Sequence, residues 1–595
     1  MQYTSREVYE YISKHNNDPI VEWKICTVSG QPFAIFQSDV DFYEKISPVF
    51  LWKKFMIPIP TLCPEERQRR RLIFRNERKL YKRKCDATGD TIVSIYSPDK
   101  PYKVYEEEYR KSDKRDEVWI DIDYNKSIFN NIQNLYNLTP KCSLYTWSKS
   151  ENSRYNNFTG SIKDCYLVFD SMDSEWCLYS SKTSSSKNCI DCLQVFSSEN
   201  CYNSIDCYQC FEAFSSQDCK DCHHVINCSD CIWCSYCINS SWLRNRHYCI
   251  NNEQYSADEY KNKIKAFDIN ICSNNYIKPS TISYNCEWMI VGNFITESKN
   301  ILFSFDGVVL NNCRYCCKIQ SSSDCGDIDS WWDRSSLLYE GTAIGTKSHT
   351  ILFCNCCRSS CTNIYYSSHL SGCSDCFWCI WLRNKSYCIF NKQYTKNEYE
   401  KTVANIITHM QETGERWEFF HPSLSPFGYN ETVANEYFPL SKQEAIVKWY
   451  KWQDKTYDPI IPEGAKVIDF RYTERSEGSS KQQSLNSSLH SEWQPDDILK
   501  AIFVCEVSGR PYRIIKQELE FYRKHNLPLP RKHPDIRHEE RMKLRPGRIL
   551  YLRQCDKCTK EMLSVYAPKE VLLEGDTKYE WKVYCESCYQ QEVYA

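Results

Sequence analysis

Several things are missing from this 595-residue sequence. Charge of one sign is the first: 75 Lys and Arg against 77 Asp and Glu leave a net charge of −2. No global field draws the chain to nucleic acid or to a membrane, so any basic partner surface must be local. No run of about 18 apolar residues occurs, which excludes a helical membrane span. The first residues, MQYTSREVYEYISKHNNDP, contain no apolar stretch of the kind a secretory signal needs. A reducing, cytoplasmic setting is therefore expected, where cysteine is a metal ligand or a small buried apolar residue rather than half of a disulfide. Catalytic signatures are absent too. There is no P-loop, no G-x-S-x-G, no H-E-x-x-H and no dinucleotide fingerprint. His223, His224 and His421 have no partner at a diagnostic spacing, and no small-molecule substrate suggests itself. Glycine is scarce, at 16 residues, beside 37 Cys, 43 Tyr and 17 Trp.

What is present is repetition, of two kinds. The ends of the chain match each other. Cys26-Thr-Val-Ser-Gly-Gln-Pro-Phe, then Phe42-Tyr43-Glu44-Lys45, then Ile57-Pro58-Ile59-Pro60 lead into an Arg-rich run, Lys84-Cys85-Asp86 and Ile92–Pro98. Cys505-Glu-Val-Ser-Gly-Arg-Pro-Tyr, Phe521-Tyr522-Arg523-Lys524 and Leu527-Pro528-Leu529-Pro530 lead in the same order into a second Arg-rich run, Gln554-Cys555-Asp556 and Leu563–Pro568.

The middle repeats differently. Between 165 and 249 there are 14 Cys, every one at a position divisible by three. Asn188–Cys201 returns eighteen residues later as Asp206–Cys219, and Cys165, Cys177, Cys189 and Cys201 are twelve apart. Repetition in multiples of six marks a solenoid whose turns repeat their inward residues. Residues 300–390 read as another copy: Cys228-x-x-Cys231-x-x-Cys234 matches Cys373-x-x-Cys376-x-x-Cys379, and Trp242–Cys249 matches Trp381–Cys388. Between those matches the copies differ by six residues, which suggests a six-residue side and a triangular, eighteen-residue turn. Strand alternation has a period of two, so it leaves the spacing by three unexplained. Ser256 with Glu259 and Thr395 with Glu398 have capping-box spacing and predict helices over 257–267 and 396–408, closing the end of each solenoid.

The fold expected is mainly β and multidomain. It comprises an N-terminal ribbon-like module (1–122), two Cys-rich β-solenoids with helical caps (123–270 and 271–410), an aromatic connector (411–473) with a short helix near 441–451, a flexible Ser/Gln-rich linker (474–494) and a C-terminal zinc-ribbon module (495–595).

One constellation has ligand spacing. Cys555-x-x-Cys558 and Cys585-x-x-Cys588 each aim two thiolates at one ion and together complete a tetrahedron without an open position, the arrangement of a structural zinc. The strands expected around it are Met562–Tyr566 and Glu580–Tyr584. The N-terminal copy keeps Cys85 but has Thr88, Glu106 and Tyr109 at the other three places, so no zinc is expected there. Cys26 with Cys63, and Cys505 with His533, fall short of a ligand set.

The solenoid cysteines admit three readings: small inward residues, metal-cluster ligands, or a disulfide ladder in an exported protein. The run Cys228, Cys231, Cys234 and Cys237 lacks the final spacing and the proline of a ferredoxin motif. The basic run from Arg67 to Lys84 is a candidate phosphate-contacting surface through Arg69, Arg70, Arg71, Arg75, Arg78, Lys82, Arg83 and Lys84, with Phe74 and Tyr81 placed to stack on bases. An ordinary solvated helix face is the competing reading.

The paired end modules, the Cys ladder and Ser425-Pro-Phe-Gly-Tyr-Asn-Glu-Thr432 resemble uncharacterised Cys-rich repeat proteins of candidate-phyla bacteria, a resemblance that brings no activity with it. Residues 555–588 resemble zinc ribbons, which implies structural zinc. The expectation is a non-enzymatic, zinc-containing scaffold that binds a macromolecule, either protein or nucleic acid. The alternative is a redox or metal-cluster protein using the solenoid cysteines.

Overall fold

The computed structural model describes residues 2–112, 117–264, 277–329, 333–342, 345–357, 359–415, 417, 419–459, 461–471, 495–568 and 581–594. The linker expected at 474–494 lies outside them, as does Glu580. The chain forms two compact units that do not follow chain order. One holds 1–143, 277–453 and 546–592, the other 144–276 and 454–545 with the last three residues. The module expected as 495–595 thus contributes its first half to one unit and its second half to the other.

Each unit is built on a β-solenoid, and the backbone explains the period of three. In the second unit Ser161, Asp164, Leu167, Asp170, Asp173, Trp176 and every third residue on to Asn251 has φ near +50°. Each left-handed residue turns the chain, and the residue after it points inward. Ile162, Cys165, Val168, Cys177, Cys189, Cys192 and Val195 are among the side chains that fill the lumen. Four such triplets close a turn. Lys163 pairs with Glu175 and Glu175 with Lys187, always in parallel and twelve residues on. The eighteen-residue triangular turn is therefore corrected to a twelve-residue turn with a corner every three residues; the eighteen-residue repeat is a turn and a half.

Left-handed backbone is costly for residues with a Cβ, and Asn and Asp bear it best. With so few glycines, the corners are rich in these two: Asp164, Asp191, Asn200, Asp206, Asn227 and Asn239. Their side chains also bond from turn to turn, Asn188 to Asn200 and Asn227 to Asn239, each at 3.1 Å.

The lumen has a hydrogen-bonding problem that selects Ser and Cys. The N–H of each inward residue points away from the parallel ladder, and a buried N–H needs an acceptor. Ser180 Oγ accepts from the Cys192 N–H at 3.0 Å, and Ser198 Oγ from the Cys210 N–H at 3.0 Å, twelve residues apart in each case. Each hydroxyl or thiol also donates to a carbonyl, as Cys165 does to Lys163 at 3.3 Å and Cys222 to Lys220 at 3.2 Å. The same carbonyls also accept backbone N–H groups, Lys163 O from Trp176 and Lys220 O from Trp233, each at 3.0 Å, so alanine would fit the space and leave only the inward N–H unpaired.

The solenoid of the first unit is a ten-stranded sheet from Ser283 to Gln393, nine parallel strands closed by one antiparallel strand. Its turns are twelve residues long except for three of thirteen, where Ser323, Ser336, His349 and Thr362 stand in register. One corner there widens, with left-handed residues at Cys356 and Ser360 rather than three apart.

Counting back from the caps corrects the six-residue difference between the copies. Cys237 stacks on Cys249 and Cys376 on Cys388, each pair twelve apart. Cys373, Cys376 and Cys379 therefore stand where Cys234, Cys237 and Ser240 stand, and no residues are missing. Because every third position accepts Cys, matching by Cys alone can slip by half a turn.

The cap helices are Ala257–Ile264, as far as it is described, and Lys396–Glu412. Both begin with the expected reciprocal bonds: Glu259 N–H to Ser256 Oγ, and Glu398 N–H to Thr395 Oγ1. The second runs four residues past its expected end. Its Val403, Ile406, Ile407 and Met410 are buried in one core with Phe42, Tyr43, Phe419, Phe420 and the corner stack Phe353–Tyr366–Trp378. The rings of that stack lie 4.9 and 4.5 Å apart. The connector thus packs as ordered structure, and its short helix is Lys442–Val447.

Candidate metal centre and the fate of the basic run

Cys555 begins the turn between the antiparallel strands Tyr551–Gln554 and Glu561–Ser564. Its N–H donates to Lys560 O at 2.9 Å, and the Thr559 N–H returns to Cys555 O at 2.9 Å. This tight turn swings Cys558 back beside Cys555. The second knuckle joins the strand Lys582–Tyr584 to the helix Glu586–Val593, with Cys588 in its first turn. Asp556 locks the two together: its N–H donates to Val583 O at 3.0 Å and its carboxylate accepts from the Val583 N–H at 2.6 Å.

The four sulfurs lie within 4.8 Å of one another, and Cys558 Sγ is 3.7 Å from Cys585 Sγ. A tetrahedron with metal–sulfur bonds of about 2.3 Å has edges of about 3.8 Å. The geometry fits one metal ion held by four thiolates. Burial alone would raise the Cys555 thiol, but the N–H groups of Cys558, Cys585 and Lys557 outweigh it and hold the group down to about 6. Hydrogen bonding with Cys558 pushes Cys588 up to about 12. One thiolate is thus prepared by the backbone, while another needs a cation to lose its proton.

The turn around Cys85 makes the same local hydrogen bonds as the turn around Cys555. Cys85 N–H donates to Asp90 O and Gly89 N–H to Cys85 O, while Asp86 exchanges two bonds with Val104. Cys85 Sγ accepts from the Glu106 N–H at 3.3 Å, just as Cys555 Sγ accepts from the Cys585 N–H at 3.2 Å. Cys26 and Cys63 meet, with Ser29 Oγ 3.8 Å from Cys63 Sγ. Two thiols and a hydroxyl do not make a tetrahedral set.

The basic run takes a different role from the one its composition suggests. It forms the helix Pro64–Leu72 and the segment after it, and Arg69, Arg70, Arg71 and Arg75 are buried. Arg69 pairs with Glu66 at 2.9 Å, Arg70 with Glu340 at 2.8 Å, Arg71 with Asp329 at 3.1 Å and Arg75 with Glu77. Neighbouring Arg67 pairs with Asp327 at 2.7 Å. These guanidinium groups face carboxylates inside the protein and are withdrawn from any phosphate backbone. Arg78 and Arg83 are half-buried; only Lys82 and Lys84 of the candidate set are exposed. Phe74 is buried against Phe419, and Tyr81 donates to Glu431.

The C-terminal run repeats the pattern. Arg537 and Arg541 pair with Asp191, Arg545 with Asp206 at 2.8 Å, and Arg548 with Asp306 at 3.2 Å. Asp191, Asp206, Asp306, Asp327 and Glu340 all occupy left-handed corners. The sequence marks these acids only as members of the every-third-residue ladder, so their partners could not be read from it.

The described cysteines are free thiols, most of them buried. No helix among the described residues is long and apolar enough to cross a membrane. No protein-family model matches the chain, and no curated protein matches it.

Proposed function

We propose that the chain is a non-enzymatic scaffold with one structural zinc, and that its macromolecular partner is protein rather than nucleic acid. One observation supports this best: the groups that could carry chemistry are already used by the fold. The solenoid thiols saturate lumen carbonyls, and the arginines neutralise corner acids. Four thiolates leave no coordination site for water or substrate, so the ion acts as a staple. It ties Lys582–Tyr584, which pairs with Ile277–Pro279, to the hairpin at 551–564. In this reading the end modules are one duplicated ribbon, of which the second copy alone keeps its ligands. Protein is the preferred partner because exposed aromatic groups on the solenoid of the second unit, such as Trp233 and Tyr208, offer apolar anchors. The basic helices offer little to phosphate.

Metal analysis of the full chain purified without oxygen tests the staple. One equivalent of zinc is expected, with no iron and no visible absorption band. Cys558→Ser should release the zinc and lower the melting temperature. Less than half an equivalent would sink the zinc assignment, and a brown chromophore would favour the cluster alternative. Retention of the full chain on heparin at low salt would overturn the preference for a protein partner.

A further inference from the structure

Leu51 and Trp52 form the turn of a hairpin that joins Val49–Phe50 to Lys53–Lys54. Both are left-handed, at φ +49° and +64°. A two-residue turn of this kind favours Asn-Gly, and bulky apolar residues bear it poorly. Trp52 is nevertheless fully exposed, and Val49, Leu51 and Met56 are exposed beside it. Packing holds the stem: Phe50 and Phe55 are buried, with the Phe50 ring 5.4 Å from that of Tyr365 on the solenoid. That packing does not call for an indole at the tip. Neither does the module. Eleven residues separate Lys45 from Ile57, whereas two separate Lys524 from Leu527 in the matching stretch at the other end of the chain. The hairpin is an insertion that one copy does without, so its strained apolar tip has another use.

A cleft of about 490 Å³ opens beside the stem, and Pro48, Val49 and Phe50 form one of its walls. Leu337, Tyr365 and Tyr387 give it apolar surface. Asn363 and Asp375 stand among them on successive turns, with Asn363 Nδ2 donating to Asp375 Oδ1 at 3.0 Å. Of the other charged groups in the lining, Lys45 already pairs with Asp324 at 2.8 Å. Lys396 and Glu400 lie about one helical turn apart on the cap helix and offset each other. Asp375 is left as one negative charge in excess. The hairpin tip has the opposite excess. Lys54 pairs with Glu44 at 3.5 Å, while Lys53 lies over the Phe55 ring and makes no ion pair among the described residues. A basic tip bearing an indole thus adjoins an acidic cleft lined by rings. Because knob and hole are neighbours, a two-fold axis can seat each copy's tip in the other's cleft, the reciprocal contact of an isologous dimer.

We propose that the chain forms a two-fold dimer in which Trp52 of each copy enters the cleft of the other, with Lys53 facing Asp375. Asn363 and Asp375 then offer the acceptor that a buried indole N–H needs. The dimer is independent of the zinc staple and of any other protein the scaffold binds. Sedimentation velocity on the full chain, up to about 0.1 mM, tests it, since a micromolar Kd would fill the dimer there. A dimer is expected. Leu51→Asn with Trp52→Gly restores the favoured turn, so at concentrations too low for the dimer the chain should melt no earlier than the parent. Dimerisation by that variant should nevertheless weaken about a hundredfold or more, two indoles being lost per dimer. Lys53→Asp and Asp375→Lys should each weaken the dimer about tenfold or more, and the two changes together should restore it. The corner accepts the second change, because Lys318 and Lys347 already occupy left-handed corners. A chain that stays monomeric over the whole range would overturn the proposal. So would a dimer that the Asn-Gly tip leaves intact, or a charge swap that restores nothing.

Discussion

Ser198 shows what an inward position has to do. Its hydroxyl donates to Phe196 O at 2.8 Å and accepts from the Cys210 N–H at 3.0 Å, in a lumen filled by Cys, Val and other small side chains. Ser198→Ala keeps the volume and strands the Cys210 N–H, while Phe196 O still accepts from the Gln209 N–H at 2.9 Å, so denaturant unfolding should show a loss of about 1–3 kcal/mol. Ser198→Cys should cost less, since Ser367 and Asn391 donate their N–H groups to cysteine sulfurs in the other solenoid. The reading of cysteine as a small inward residue was available from periodicity alone. Its hydrogen-bonding duty was not, because that follows from a backbone with a left-handed residue in every triplet. Glycine would have signalled such a backbone, and this chain has little. Thr559 carries the same strain in the metal-binding turn, at φ +61°, where the corresponding turns have Gly30, Gly89 and Gly509. Thr559→Gly should stabilise the chain by about 0.5–1 kcal/mol in a thermal melt, since glycine adopts this conformation freely.

At the scale of elements, the two Arg-rich helices are keys for acidic corners. Arg70 grips both carboxylate oxygens of Glu340 at 2.8 Å, and Glu340 is 2% exposed. Removing one member of a buried pair leaves the other charged and unsolvated. Arg70→Met should therefore cost about 3–5 kcal/mol, and Arg70→Met with Glu340→Gln should recover much of that loss in the same melt. Burial already raises the Glu340 carboxyl, so in Arg70→Met it should take up a proton on folding. The loss in that variant should then shrink as pH falls toward the carboxylate range and grow as pH rises. The charge run itself was plain in the sequence. Its role was not, because the answering acids lie about 260 residues away and look there like ordinary polar corners. The group of four cysteines that could hold a metal ion was legible for the opposite reason: two short motifs carry all four.

For the whole molecule, the length of a turn decides which changes the chain can absorb. The sequence shows repeats of six, twelve and eighteen with equal force, since Cys, Ser and small apolar residues all serve at every third position. Only the ladder distinguishes them: His223 pairs with Ser235 and Ser235 with His247, one turn each. Deleting residues 221–232 removes one full turn. Every later residue then keeps its corner, its inward phase and its side of the solenoid. The cap core of Ile238, Ile250 and Tyr260 stays on the face it now covers. Deleting 221–226 also preserves the inward phase of three, yet it carries those residues half a turn round. The cap would then lie on the opposite side from its present place relative to Tyr179, Ile190 and Tyr202, which pack against Phe503, Leu519 and Tyr522. The twelve-residue deletion should melt cooperatively near the parent temperature and protect the same amides from exchange at both ends of the solenoid. The six-residue deletion should lose protection across 235–264 and melt earlier. If the two deletions behaved alike, a six-residue side would be the true structural unit, and the twelve-residue turn would have to be given up.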